Sequence, residues 1–281
     1  MYLLAIGAYP VGMPSSPKNM GERSEVFLKA FLTKCLFDGI ELEGAPDEIR
    51  CIKTMNYGPG INAPSWSDAM NEMLNNKDYE KLKIIFGKAK PSFKADIFIN
   101  DVSYSIKYEG AARPAIVNHT NRKGFLRVCR RTGQDINTLD GIIDEYWDLR
   151  ISGKIKEDVK NSDPLSPFAN HKDYLSWILR YFIFKGTAKG TSAFPADKVL
   201  SFQNPEDPST YRILSEHETI DEIWDHLVFS LRSKKGMPTK RLPDGSLINT
   251  YDETKYTELA PWVRYFPKDD AFPRGSLHVR V

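Results

Sequence analysis

The chain has 281 residues and a net charge of only +2, with 41% hydrophobic, 12% aromatic and 27% charged residues. This composition excludes a disordered chain and suits one large folded domain, or a domain with a subdomain. Near-neutrality gives no whole-chain sign of a nucleic-acid partner, so the placement of charge matters more than its sum.

Residues 1–10 are apolar, lack a basic flank and stop at Pro10. The run is too short for a secretory signal or a membrane span and predicts an opening strand. Residues 10–20, rich in Pro, Ser and Gly, predict a loop. Residues 21–37 carry Phe27, Phe31 and Cys35 beside Leu28, Leu32 and Leu36 at helical spacing, closed by Asp38-Gly39. A strand is expected at 49–54 and a loop at 56–64. Ser65 is expected to cap a helix to about residue 75, with a shorter helix at 78–86.

Two strand-like runs follow, 93–99 and 102–108, separated only by Asn100-Asp101, which predicts a tight two-residue hairpin. A further strand is expected at 124–129. Helices are expected at 138–150, 172–184 and 219–232, the last opened by a capping box of Thr219 and Glu222. Short strands near 246–250, 262–266 and 276–281 end the chain. The predicted fold is α/β, a central mixed β-sheet flanked by helices, with a helical or mixed C-terminal part. A core is expected over 1–135, with residues 136–281 packed on it. Trp147, Trp177, Trp224 and Phe182 sit among apolar neighbours and are expected in the core. Cys35, Cys51 and Cys129 make no metal-ligand spacing; reduced, mostly buried thiols fit a cytoplasmic protein.

The hairpin can be registered. With a two-residue turn, Ile99 pairs with Val102, Phe98 with Ser103, Ile97 with Tyr104 and Asp96 with Ser105, while Lys107 lies opposite Lys94. Asp96, Ser105 and Lys107 then share one face, and Ala95, Ile97, Ile99, Val102, Tyr104 and Ile106 line the other. Carboxylate and ammonium on adjacent strands suit phosphodiester hydrolysis. The carboxylate can hold Mg²⁺, a hard cation that prefers oxygen ligands, and the ammonium can orient water or stabilise charge on the phosphate. One carboxylate is a thin ligand set, so a second acid is expected nearby: Glu25, with Glu22 or Glu109 in reserve. Taken alone, this pattern is also that of a salt bridge across a hairpin.

Charge is unevenly placed. Lys107, Arg113, Arg122, Lys123, Arg127, Arg130 and Arg131 face only one acid, Glu109, between 107 and 131; residues 232–241 hold five basic residues and no acid. Such clusters suit a phosphate-binding face or a solvated surface. The segment Lys185-Gly-Thr-Ala-Lys-Gly-Thr-Ser192 fails as a nucleotide P-loop, because its glycines are four apart and no lysine follows the second. It reads as a loop whose Lys185 and Lys189 can meet phosphates. Arg274, within Phe272-Pro-Arg-Gly-Ser276, can be presented from a turn to a guanine edge.

Asp96 and Ser105-Ile-Lys107 resemble the PD-(D/E)XK nuclease superfamily, in which Asp lies on one strand and Asp/Glu-x-Lys on the next. Ser105 stands where the acidic member is usual, a variation that resembles some type II restriction endonucleases, with an acid on a preceding helix completing the site. Three stretches resemble the HpaII-like restriction endonucleases: Gly21-Glu-Arg-Ser-Glu25 leading into Phe27, Lys94-Ala-Asp-Ile97 followed by Tyr104-Ser-Ile-Lys107, and Asn118-His-Thr120 running to Phe125. The likeness covers about the first half of the chain.

The resemblance implies a restriction-endonuclease-like fold. It implies Asp96 and Glu25 as metal ligands, catalytic roles for Lys107 and Ser105, and Mg²⁺ as cofactor. Double-stranded DNA is the implied substrate, with Asn118 and Thr120 near the site; Arg122 and Lys123 of the basic run, Lys185 and Lys189 of the loop, and Arg274 are the further residues expected to contact it. A short palindromic target would favour a homodimer. The alternatives are a repair or junction nuclease, and a DNA-binding protein whose nuclease site has degraded.

Overall fold

The computed structural model describes residues 20–58, 61–87, 93–111, 115–232, 239–241, 247–249, 262–264 and 274–281. The expectations for residues 1–19 and for Arg113, and most of the 232–241 basic run, lie outside them. Helix α1 spans Met20–Asp38 and a helical turn α2 spans Asp47–Arg50. Strand β1 is Met55–Asn56, and helices α3 (Asp68–Asn75) and α4 (Tyr79–Phe86) follow. Ser67, not Ser65, caps α3 by accepting the Met70 N–H, and Asp78 caps α4 in the same way.

Strands β2 (Ile97–Ile99) and β3 (Val102–Tyr108) form the hairpin in the expected register: Ile97 with Tyr104, Phe98 with Ser103, Ile99 with Val102. Asn100 and Asp101 both have positive φ, 49° and 66°, as a two-residue turn of this hand needs. Asn100 does more than turn the chain. Its Oδ1 accepts the Lys53 N–H at 2.8 Å and its Nδ2 donates to the Cys51 carbonyl at 2.9 Å. These groups are satisfied by a side chain, so the strand expected at 49–54 is replaced by α2, an irregular stretch and the short β1.

Beyond the hairpin come β4 (Val117–Asn121), α5 (Arg122–Thr132), α6 (Ile136–Ile151) and β5 (Val159–Lys160). The strand expected at 124–129 is helix α5. Asn121 accepts the Gly124 N–H at 3.0 Å as its cap, and Phe125, Val128 and Cys129 bury one helical face. Helix α7 (Lys172–Arg180) runs into a wider π-helical turn, Tyr181–Lys185, and a small hairpin of β6 (Gly186–Thr187) and β7 (Gly190–Thr191). A Cβ on Gly186 would lie 2.4 Å from the Gly190 carbonyl oxygen, so only glycine permits that approach.

Strands β8 (Lys198–Phe202) and β9 (Arg212–Leu214) precede α8 (Glu216–Ile223) and β10 (Val228–Arg232). The capping box is Ser215 with Glu218, not Thr219 with Glu222. The helix expected to run to 232 ends near 223, because Phe229 and Leu231 alternate inward as a strand does. Strands β11 (Thr239–Arg241) and β12 (Leu247–Asn249) pair with each other, and β13 (Ser276–Arg280) closes the chain.

The fold is mixed α/β. A five-stranded sheet has the order β1-β2-β3-β8-β9, with β3 and β8 parallel and every other neighbour antiparallel. Helix α1 covers one face, where Leu28, Leu32 and Cys35 meet Ile97, Tyr104, Ile106 and Leu200. The 181–185 turn covers the other, where Phe184 meets Ala95, Ala196 and Val199. A four-stranded antiparallel sheet, β4-β13-β10-β5, shares a second core with α5, α6 and α7. The sheets do not follow a division at residue 135: β8 and β9 complete the first, and β4 belongs to the second. Trp147, Trp224 and Phe182 are buried as expected, whereas Trp177 is 52% exposed. Cys35 and Cys129 are buried and Cys51 is exposed. Among the described residues no helix is long and apolar enough to cross a membrane.

Candidate active site

The regular alternation of β2 stops at Asp96. Its N–H donates to the Tyr104 carbonyl at 2.8 Å, and its Oδ2 accepts the Ile106 N–H at 2.9 Å. The carboxylate thus takes a ladder bond that a backbone carbonyl would otherwise take. Ala95 consequently packs with Phe184 and Val199, not with Ile97 and Tyr104 as strict alternation predicts. Ser105 is buried and its Oγ lies 3.3 Å from Asp96 Oδ2, as the register implies. Lys107, one pleat further along the same face, is exposed.

Glu25 reaches this cluster from α1. Its carboxyl is held above the usual carboxylate range, first by burial and then by the negative charge of Asp96. Lys29 and Lys107 act against that rise. Lys29 lies one turn after Glu25, with Nζ 2.8 Å from Oε1 and a side chain only 2% exposed. An ammonium this deep needs a counter-charge, and Glu25 supplies it. Lys94 completes the group. Its Nζ donates to the Phe182 carbonyl at 2.5 Å, and burial, then the charge of Lys107, pushes its pKa down to about 8 against the pull of Asp96.

Glu22 and Glu109 point elsewhere. Glu22 pairs with Lys83 of α4 at 3.2 Å. Glu109 accepts from Ser201 at 2.7 Å and from Gln203 at 3.0 Å. Of the three acids weighed from sequence, Glu25 is raised by the negative charge of Asp96. Among the described residues no group of three or more His, Cys, Asp or Glu could hold a metal ion, so the carboxylates of this cluster number two. The chemistry of that pair suits a hard divalent cation that keeps water in its remaining positions.

Comparisons with family models, curated proteins and solved structures find no match to this chain.

The residues expected to contact DNA divide sharply. Asn118 on β4, Lys123 on α5 and Lys189 in the β6–β7 turn are exposed. Thr120 is buried in the second sheet opposite Leu277. Arg122 grips Asp140 through Nε at 2.8 Å and Nη2 at 2.6 Å, and Trp262 Nε1 donates to the same carboxylate at 2.7 Å. That fork ties α5 to α6. Lys185 pairs with Glu216 at 2.7 Å. Arg274 is 8% exposed and its Nη1 lies 2.5 Å from Glu157, so it is not presented from a turn.

Three features escaped the sequence reading. Lys29 follows Glu25 at i+4, a spacing that itself signals a helical ion pair. Lys94 was registered opposite Lys107 but given no role. Helix α5 exposes Lys123, Arg127, Arg130 and Arg131, and Arg127 Nε donates to the Ala188 carbonyl at 2.9 Å, bringing this basic side against the turn that carries Lys189.

Proposed function

We propose that this chain is a Mg²⁺-dependent endonuclease acting on double-stranded DNA, of the type II restriction kind that the PD-(D/E)XK resemblance implies. The observation that carries the reading is that Asp96 and Lys107 of the hairpin both act electrostatically on Glu25 of α1, while Ser105 holds Asp96. A mixed sheet flanked by helices agrees with a restriction-endonuclease-like fold. Cytoplasmic DNA is the substrate, and a homodimer fits a short palindromic target.

Asp96 and Glu25 would hold the cation. When bound, it would polarise the phosphate and acidify water. The chain's own groups prepare the site. The Ile106 N–H and Ser105 hydroxyl orient Asp96 through Oδ2, leaving Oδ1 for a ligand. Lys29 fixes the rotamer of Glu25 through Oε1. Lys107, exposed beside both acids, is available to a phosphate oxygen or to the attacking water. The exposed side of α5 and Lys189 supply a phosphate-binding ridge. Ser105 in place of an acid favours a second reading, a DNA-binding protein without catalysis.

The test is incubation with several unmethylated plasmids in Mg²⁺ and in EDTA, with Asp96→Ala and Lys107→Ala alongside. Discrete Mg²⁺-dependent fragments, lost in both variants, are expected. Binding without cutting would favour the second reading. Random nicking would favour a repair or junction nuclease, and cutting that survives both substitutions would remove the hairpin from the mechanism.

A further inference from the structure

Every exposed residue of helix α5 is a cation: Lys123, Arg127, Arg130 and Arg131. At i, i+4, i+7 and i+8 they form one stripe along the helix, away from the face that buries Phe125, Val128 and Cys129. Helix stability does not ask for this pattern. Arg130 and Arg131 suit the negative end of the helix dipole, but Lys123 stands in the first turn, where the dipole is positive and no acid accompanies it. Among the described residues no carboxylate pairs with Arg127, Arg130 or Arg131. Like charges one turn apart repel, so the stripe costs stability unless an anion faces it.

The surroundings decide how an anionic partner can lie. The β6–β7 turn packs on the same helix: Arg127 Nε donates to the Ala188 carbonyl at 2.9 Å, and a Cβ on Gly124 would lie 3.1 Å from the Ala188 Cβ. Lys189, next in the turn, is exposed. A DNA major groove about 12 Å wide admits a bare helix about 10–12 Å across. A helix with a hairpin turn against its flank is too broad to enter. No aromatic ring is exposed on α5 for an unpaired base to stack on, which disfavours a single strand. From Lys123 to Arg131 the stripe rises about 12 Å. One strand of a duplex carries a phosphate about every 3.4 Å of axis, so about three or four phosphates match its length.

We infer that α5 and the β6–β7 turn hold duplex DNA by the phosphates of one strand, whatever its sequence and without metal. The inference rests on the duplex-DNA reading above and adds a holding mode separate from cutting. Cations that meet only phosphates read no base, so this surface holds non-target DNA too.

The test is the fluorescence anisotropy of two labelled duplexes, equal in length and unrelated in sequence, titrated with the whole chain in EDTA at about 50 to 200 mM salt. Both should bind with similar affinity and the same slope of log affinity against log salt. Combining Lys123→Gln, Arg130→Gln and Arg131→Gln, which keeps Arg127 on the turn, should lower that slope by about three on both duplexes. Removing equal charge at the exposed Lys154, Lys156 and Lys160, each changed to Gln, should leave it as in wild type. The set Lys123→Arg, Arg130→Lys and Arg131→Lys should also keep it, which separates lost charge from lost fold. A preference of more than about ten-fold for one duplex would overturn the inference. So would tighter binding of a single strand, or a slope loss as large in the Lys154, Lys156 and Lys160 variant. Wild-type cutting in Mg²⁺ with an unchanged slope in the stripe variant would sink this inference and leave the nuclease reading standing. Metal-free binding that depends on the stripe, in a chain that cuts no DNA, would do the reverse.

Discussion

Two ion clusters in this molecule have the same inventory and opposite character. The first sheet gathers Glu25 and Asp96 with Lys29, Lys94 and Lys107. The second gathers Glu157 and Asp158 with Arg232, Arg274 and Arg280. In the second, each carboxylate is shared between guanidiniums. Arg232 and Arg280 both sit 2.9 Å from Asp158, and Arg274 lies 2.5 Å from Glu157. Arginine forks fill carboxylate lone pairs from fixed directions, and such a network ties β10 and β13 to the segment before β5. In the first, two carboxylates repel one another and the counter-charges are lysines, which act as movable points. Matched charge holds the architecture together. Unresolved like charge, left in a partly open position, is what a binding or catalytic site needs.

The largest expected contrast comes from removing one member of each. Asp96→Asn should lower cleavage by at least about 100-fold while leaving the melting temperature close to wild type, because the amide oxygen can still accept the Ile106 N–H while the like charge beside Glu25 is removed. Glu157→Gln should do the reverse. It removes the carboxylate that lies 2.5 Å from the buried Arg274 guanidinium and should cost about 2–3 kcal/mol, with cleavage per folded molecule unchanged. Denaturant titration and plasmid cleavage on the same samples check both. A stability loss in Asp96→Asn equal to that of Glu157→Gln would make the two clusters the same kind of object.

The clusters also differ in how much of them the residue order revealed. The hairpin was legible because its pairing follows from a two-residue turn and a period of two, both local properties. Glu25 could be named from the residue order as one of three candidate acids, but choosing it over Glu22 and Glu109 depends on how α1 crosses the sheet. The burial of Arg274 was not legible. It depends on Glu157, which lies 117 positions earlier and meets it only because β13 pairs with β10. Segment 124–129 misread for a different reason. A short apolar run fits strand or helix, and the Asn121 cap that decides between them is a side-chain geometry. Trp177 lies on an amphipathic helix at a position that composition alone assigns to the core.

A smaller effect sharpens the contrast through pH, in metal-free protein. The folded-state pKa of Glu25 is raised, by burial first and by Asp96 second, so the stability it contributes is present below the usual carboxylate value and is lost as pH rises through the folded value. Asp158 is the opposite case. Burial works to raise its pKa, but Arg232 and Arg280 outweigh it and hold it low. Its contribution is present above the usual value and is lost as pH falls through the folded one. On acidification from neutrality, wild type should therefore gain on Glu25→Gln and, at lower pH, lose to Asp158→Asn. Melting curves in EDTA give both slopes, and Mg²⁺ should flatten only the first. Parallel slopes for the two variants would show that the charges of the first cluster are as well matched as those of the second.

The smallest effect tests whether the distinction between used and unused charge extends to the DNA-facing surface. Lys189 is exposed in the β6–β7 turn, whereas Arg122 is clamped on Asp140. A cation that neutralises a phosphate releases counterions, so Lys189→Ala should reduce the slope of log affinity against log salt by about one. Arg122→Gln should lower stability by loosening α5 from α6, yet leave that slope unchanged for the molecules that remain folded. Binding of an uncleavable duplex at several salt concentrations, in Ca²⁺ in place of Mg²⁺, separates the two. Equal changes in slope would mean that Arg122 trades Asp140 for phosphate when DNA arrives, and the clamp would then belong to the binding surface.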